Sequence, residues 1–204
     1  DSENASTLAA YLEPDETQTN STYENLNIHS SFDRITWGTL DMKLEKEAVP
    51  VIKDMNETTC SIYLTYVLSD TPEDETTDYY NVTDFYRMRY AQSRVMLLDF
   101  ERNTQELYDG KHTELTSKGI NLGVADKDVQ YQSNKSSDIV AFVQEGELWS
   151  YNRSANKATQ IFSFRDGDLD ERENLQEHGI KIVRVEESGD IDFVVYGYMN
   201  RDVH

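Results

Sequence analysis

"DIVAFVQEGELWSYNRSANKATQIFSF", Asp138 to Phe164, is the stretch on which the fold turns. Apolar and aromatic side chains alternate with polar ones over runs of five to eight residues, the period of a half-buried β-strand. The run reverses at Glu145 and Gly146, where glycine accepts a positive φ. It reverses again in the loop after Asn152, where asparagine tolerates left-handed geometry. Three consecutive antiparallel strands follow from turn chemistry alone.

The same alternation runs outward in both directions from Ile35 onward. Strands are expected in "ITWGTLDMKLE", "CSIYLTYVL", "DFYRMRYAQ", "RVMLLDFE", "QELYD", "INLGVA", "DVQYQ", "IKIVRVE" and "DIDFVVYGYM". A further hairpin is expected at Ser188 and Gly189, and another in "LLDFERNTQELY" around Asn103. No long segment carries a 3.6-residue apolar stripe, so the class is all-β, antiparallel, with short helices in connections. Residues 1–32 are polar and acidic and read as an N-terminal linker or stalk, leaving 33–204 as the all-β domain.

Asp84 to Gly110 repeats the strand order of Asp138 to Phe164, and "GIKIV" with "DIDFVVYGYM" repeats "GINLG" with "DIVAFVQEGEL". Units of three or four antiparallel strands at this spacing suit a β-propeller blade, which buries its faces only against neighbours. "ELWSYNRSANKATQIFSF" resembles the outer strands of bacterial β-propeller-type repeat blades. The resemblance implies a partial propeller belonging to a larger protein; a β-sandwich built from the same hairpins is the alternative. It brings no named functional class, because the Gly-His and Trp-Asp marks of WD repeats and the double glycine of kelch blades are missing.

Composition bounds the partners. A formal charge of −20 over 204 residues repels phosphate backbones and anionic lipid. Nucleic acid is therefore not expected, and with no apolar run near 18 residues neither is membrane insertion of this segment. A protein or a glycan is the expected partner. Cys60 is the only cysteine, so an intramolecular disulfide, a multi-cysteine zinc site and a CxxC pair are excluded. Six N-x-S/T sequons occur, at Asn4, Asn20, Asn56, Asn81, Asn134 and Asn152. Acidic, cysteine-poor and rich in Asn, Ser, Thr and Tyr, the chain reads as extracellular or cell-surface and bacterial. Lacking an initiator Met and breaking off after a strand-like run, it reads as a segment of a larger envelope protein.

No P-loop, G-x-S-x-G elbow, H-E-x-x-H or dinucleotide glycine pattern is present, and the four histidines lie in no local motif. The expected function is non-catalytic binding or scaffolding, with no enzyme activity. The alternatives are a structural spacer and a fragment of a carbohydrate-active enzyme using paired carboxylates, with Asp99, Glu101, Glu145 and Glu147 at hairpin ends. Trp37, Trp149 and Tyr151 are candidate ligand-binding residues, because an aromatic face complements the apolar face of a sugar ring; their alternating positions equally suit core packing.

"RDGDLDERENLQEHG", Arg165 to Gly179, is the one candidate metal loop. Asp166, Asp168, Asp170, Asn174 and Glu177 fall at the oxygen-ligand positions of a Ca²⁺ loop. Glu171 stands where such a loop turns on glycine. The same residues make a capped helix over about Glu171 to His178, with Asp170 as N-cap, Glu173 completing the capping box and Gly179 beyond the C-terminus. The helix is the preferred reading, with Ca²⁺ at most a weak ligand; no cofactor is expected.

Overall fold

The computed structural model describes residues 7–15, 22–71, 77–110, 115–116, 119–123, 125, 127–164 and 178–197. These are mostly strand, in antiparallel sheets, as the alternation predicts. The chain divides into two compact units, Asp1–Glu106 and Leu107–His204, so the boundary falls inside the expected repeat domain and not at residue 33.

The first unit is a five-stranded sheet. Strands β1 (Asn25–Asn27), β2 (Lys43–Met55), β3 (Thr59–Asp70), β4 (Asp78–Ala91) and β5 (Arg94–Glu106) lie in the order β1-β5-β4-β3-β2. The segment read as a linker is part of this unit's core. Leu26 and Ile28 are buried with Ile35 and Phe100, and Leu8, Leu12 and Tyr23 pack against them. The apolar residues of this polar segment are few and Tyr11 stays exposed, but Leu26 and Ile28 turn inward, and β1 adds a strand beside β5.

"ITWGTLDMKLE" is not one strand. Ser31 caps a short helix, α1 (Phe32–Ile35), its hydroxyl accepting from the Arg34 amide at 3.4 Å. Trp37 and Gly38 then take φ of 68° and 59°, turning the chain before β2 begins. β2 itself went largely unread because Pro50 interrupts it. It is an edge strand, where a missing N–H is tolerated, and three register irregularities bend it.

The expected reversal near Asn103 does not occur: β5 runs straight through to Glu106. Phe100, Arg102 and Thr104 all point to the buried face, so the charged Arg102 keeps the alternation that "ERNT" hides. Asp84 to Gly110 therefore shares only its first hairpin with Asp138 to Phe164. "QELYD" is likewise not a separate strand, since Gln105 and Glu106 end β5 and residues 107–109 are coil.

The second unit holds a ribbon of β6 (Leu115–Thr116) and β7 (Gly119–Ile120), a four-stranded meander and a hairpin. Of "INLGVA" only Ile120 is strand among the described residues. The meander comprises β8 (Gln130–Ser133), β9 (Ile139–Gln144), β10 (Glu147–Asn152) and β11 (Lys157–Ser163). The hairpin comprises β12 (Gly179–Val185) and β13 (Ile191–Tyr196). Glu145 and Gly146 turn with φ of 47° and 75°, Asn156 with 48° and Gly189 with 95°, at the reversals the turn chemistry predicts. One face of the meander buries Ile139, Ala141 and Leu148 against Phe164, Ile180, Ile182 and Val185; the other buries Phe142, Trp149 and Tyr151 with Tyr108. Gln130 fastens the β12 backbone, its amide donating to the Ile180 carbonyl at 3.0 Å and its oxygen accepting from the Ile182 amide at 2.7 Å. Among the described residues no helix is long and apolar enough to cross a membrane.

Candidate binding face of the first unit

Alternation gives the five-stranded sheet two unlike faces. The inward face carries Asp84 on β4 directly opposite Arg102 on β5. They are 2% and 7% exposed, and the pair is bidentate: Arg102 Nε donates to Asp84 Oδ1 at 2.7 Å and Nη2 to Oδ2 at 2.8 Å. Nη1 donates to the Ile35 carbonyl at 2.7 Å, tying α1 to the sheet. The Tyr66 and Tyr86 hydroxyls donate to Asp84 Oδ2 at 3.1 and 3.0 Å. The guanidinium also lies 5.0 Å from the Trp37 ring centre. A buried charge pair survives only when its remaining donors and acceptors are met in this way. Burial raises the pKa of both phenols, and the Asp84 charge adds to it against the opposing Arg102. For Arg102, burial works to lower the pKa, but the hydrogen bonds and charge of Asp84 outweigh it and hold the group firmly protonated.

The opposite face carries a row in register across four strands: Tyr63 pairs with Phe85, Phe85 with Glu101, and Glu101 with Asn27. The neighbouring row is Thr65, Thr83, Asn103 and Asn25. A cavity of about 330 Å³ opens over these rows, bordered by Tyr63, Phe85, Thr83, Glu101 and the three asparagines, with Leu26 and Arg102 completing its lining. Tyr63 and Phe85 form a tilted pair with ring centres 5.2 Å apart. Side-chain amides link beside them, Gln105 donating to Asn103 and Asn103 to Asn25, each at 3.0 Å. Lys53 of the edge strand anchors the Tyr63 phenol, its Nζ donating to the hydroxyl at 2.7 Å.

The aromatic candidates fall elsewhere. Trp149 and Tyr151 are 7% and 2% exposed in the core of the second unit, so they offer no face to a ligand. Their polar atoms are used internally, Trp149 Nε1 donating to Glu147 at 3.1 Å and the Tyr151 hydroxyl to Asn156 at 2.6 Å. Trp37 belongs to the first unit, half-buried and stacked on Tyr23 with ring centres 5.8 Å apart. Of the four acids expected at hairpin ends, Asp99 and Glu101 instead lie within β5 of the first unit, and only Glu145 and Glu147 flank a turn, in the second. Glu147 is held by Trp149 and by Ser163, whose hydroxyl donates to it at 3.0 Å. Asp166, Asp168, Asp170, Asn174 and Glu177, with nearly all of the helix expected there, lie outside the described residues. Among the described residues no group of three or more His, Cys, Asp or Glu side chains is placed to hold a metal.

Among the described sequons Asn134 is buried. It is 3% exposed; its Nδ2 donates to Asp138 at 2.6 Å and its Oδ1 accepts from the Asp138 and Ile139 amides, each at 3.2 Å. The Ser136 hydroxyl lies within hydrogen-bond reach of both Asp138 and Glu187, and its amide donates to Glu187 at 3.1 Å, joining the β8–β9 loop to the β12–β13 turn. These bonds hold both carboxyls below the usual range, Ser136 contributing most in each case. The residues that sequence reading missed are Asp84, Arg102, Tyr63 and Phe85; the available signal was a carboxylate and a guanidinium at inward positions of alternating strands. Comparison of the chain with protein-family models, with curated proteins and with solved structures finds no match.

Proposed function

We propose that the chain is a non-catalytic, extracytoplasmic binding module of a larger bacterial envelope protein, with the cavity on the open face of the first sheet as its ligand seat. The observation that carries this reading is the lining: amides, two hydroxyls, an aromatic pair and a single carboxylate, supported from beneath by a bidentate ion pair. Such a lining orients a ligand by hydrogen bonds and apolar contact. Acid–base hydrolysis needs two carboxylates at one seat, and Glu101 is the one carboxylate that lines this cavity. The net charge of −20 disfavours anionic ligands.

The test is ¹⁵N–¹H nuclear magnetic resonance of the 204-residue chain titrated with neutral glycans and short peptides. Shifts gathered at Asn27, Thr83, Phe85, Glu101 and Asn103 are expected, and they should disappear in Asn103→Ala. Binding mapped only to other residues, or hydrolysis of any titrant, would overturn the reading.

A further inference from the structure

The sheet of the first unit brings three sulfur side chains together on the face away from the cavity. Met55 of β2 pairs with Cys60 of β3, and Cys60 pairs with Met88 of β4. Directly paired residues of antiparallel strands project from one face with Cβ atoms about 4.5–5.5 Å apart, so a thioether, a thiol and a thioether stand side by side. Cys60 and Met88 lie three residues along their strands from Tyr63 and Phe85, an odd offset that sets the sulfur row opposite the aromatic pair. Packing does not account for the three. None belongs to a buried core cluster of the described residues; Met55 is exposed, and Cys60 and Met88 are half-buried. The row continues into Leu97, and the adjoining row of Ile52, Ile62 and Tyr86 adds no carboxylate or imidazole.

We propose that Met55, Cys60 and Met88 form a three-sulfur site for a soft monovalent cation, Cu(I). The site is separate from the cavity and independent of its reading. Thioethers are neutral, polarizable donors suited to Cu(I), whereas Zn(II) and the hard divalent ions are held by imidazole, carboxylate or several thiolates. The charge balance agrees. One thiolate cancels the single charge of Cu(I), leaving a neutral complex beside Leu97, Ile52 and Ile62, where a divalent ion would leave a net positive charge. Binding forms a copper–sulfur bond at Cys60 as the thiol proton leaves to solvent; the metal stays Cu(I) and no electron is transferred. The three rotatable bonds of methionine let Met55 and Met88 lean over the thiol from either side, and the exposure of Met55 keeps the approach open. A net charge of −20 draws cations to the surface.

The experiment titrates the full chain, carrying ¹³C-methyl methionine, with Ag(I) as the redox-inert stand-in, and then sets it against bicinchoninate for Cu(I) under ascorbate. One equivalent of Ag(I) should shift the Met55 and Met88 methyl signals and leave Met42, Met96 and Met199 in place. Cys60→Ser should abolish retention of Cu(I) against the chelator. Met55→Leu, a change at an exposed side chain, and Met88→Leu, with circular dichroism confirming the sheet, should each weaken retention by at least about ten-fold, the lower bound for groups that only orient a metal's ligands. Ag(I) bound through Cys60 with both methyl signals unmoved would reduce the row to a reactive thiol and overturn the proposal. Equal affinity for Zn(II), or one ion shared by two chains, would overturn it as well.

Discussion

Replacing Arg102 by Met tests the centre of the first unit. The substitution removes both bonds to Asp84 and the donor to the Ile35 carbonyl. Asp84 Oδ1 then loses the guanidinium that satisfies it, and a carboxylate 2% exposed keeps only the two phenols on Oδ2. Breaking one partner of a buried pair costs about 3–5 kcal/mol, most of it from the charge left behind. With an m value of about 1.5 kcal/mol/M for a unit of this size, the urea midpoint should fall by about 2–3 M. Trp37 and Trp149 are the only tryptophans and lie in different units, so their indole N–H resonances report the units separately. The Trp37 signal should carry the fall, with Trp149 as the internal reference. Asp84→Asn added to Arg102→Met removes the stranded charge and should recover at least about 2 kcal/mol. A fall under about 1 kcal/mol in the single variant, or no recovery in the double one, would refute the assignment of this pair as the unit's keystone.

Tyr66 and Tyr86 have raised pKa values, and burial lifts Tyr80 and Tyr108 to about 12, so their contribution is whole below the unfolded tyrosine value of about 10 and is lost as pH rises through the folded values. Phenolate absorbance should show these four titrating late, Tyr66 and Tyr86 only with unfolding; all 13 tyrosines ionising near pH 10 with circular dichroism unchanged would contradict this. Ser93→Gly should stabilise the first unit by about 0.5–1 kcal/mol, because Ser93 holds φ of 63° in the β4–β5 turn; a lower thermal midpoint would count against strain there. Gly110→Ala should destabilise the second unit by about 1–3 kcal/mol, since φ is 76° and the added Cβ would stand 3.0 Å from Trp149 Cζ3; an unmoved Trp149 urea transition would be the contrary result.

How far the fold was legible depended on where the turn information sits. In the second unit the turns announce themselves: Glu145-Gly146, Asn156 and Gly189 are residue types that accept positive φ, and "ELWSYN" matches β10 residue for residue. In the first unit the tightest turn is Gln92-Ser93, with φ of 52° and 63° and no residue suited to it. Pro50 masked an edge strand, and Arg102 masked the continuation of β5, because a buried charge resembles a turn residue until its partner is known. The core residues of the N-terminal segment are hidden for the same reason: Leu8, Leu12, Leu26 and Ile28 stand in a polar stretch, and only the sheet they pack against gives them a direction.

The site was hidden for a different reason. Its residues meet through register, and the hydrogen-bonded Asn25 and Asn103 are 78 positions apart in the chain. Neither neighbour can be inferred from the other without the pairing of the strands between. Yet Asp84 and Arg102, facing one another across β4 and β5, fix that pairing. With Asp84 inward, Thr83 and Phe85 must face out; with Arg102 inward, so must Glu101 and Asn103. A slip of one residue would bury Glu101 without a partner and expose the guanidinium, so the ion pair selects against it. The same two charges that complete the core thereby determine which side chains line the cavity. A carboxylate and a guanidinium that both break an apolar alternation on its inward face are thus a readable sign of register, and through register, of the site on the other side.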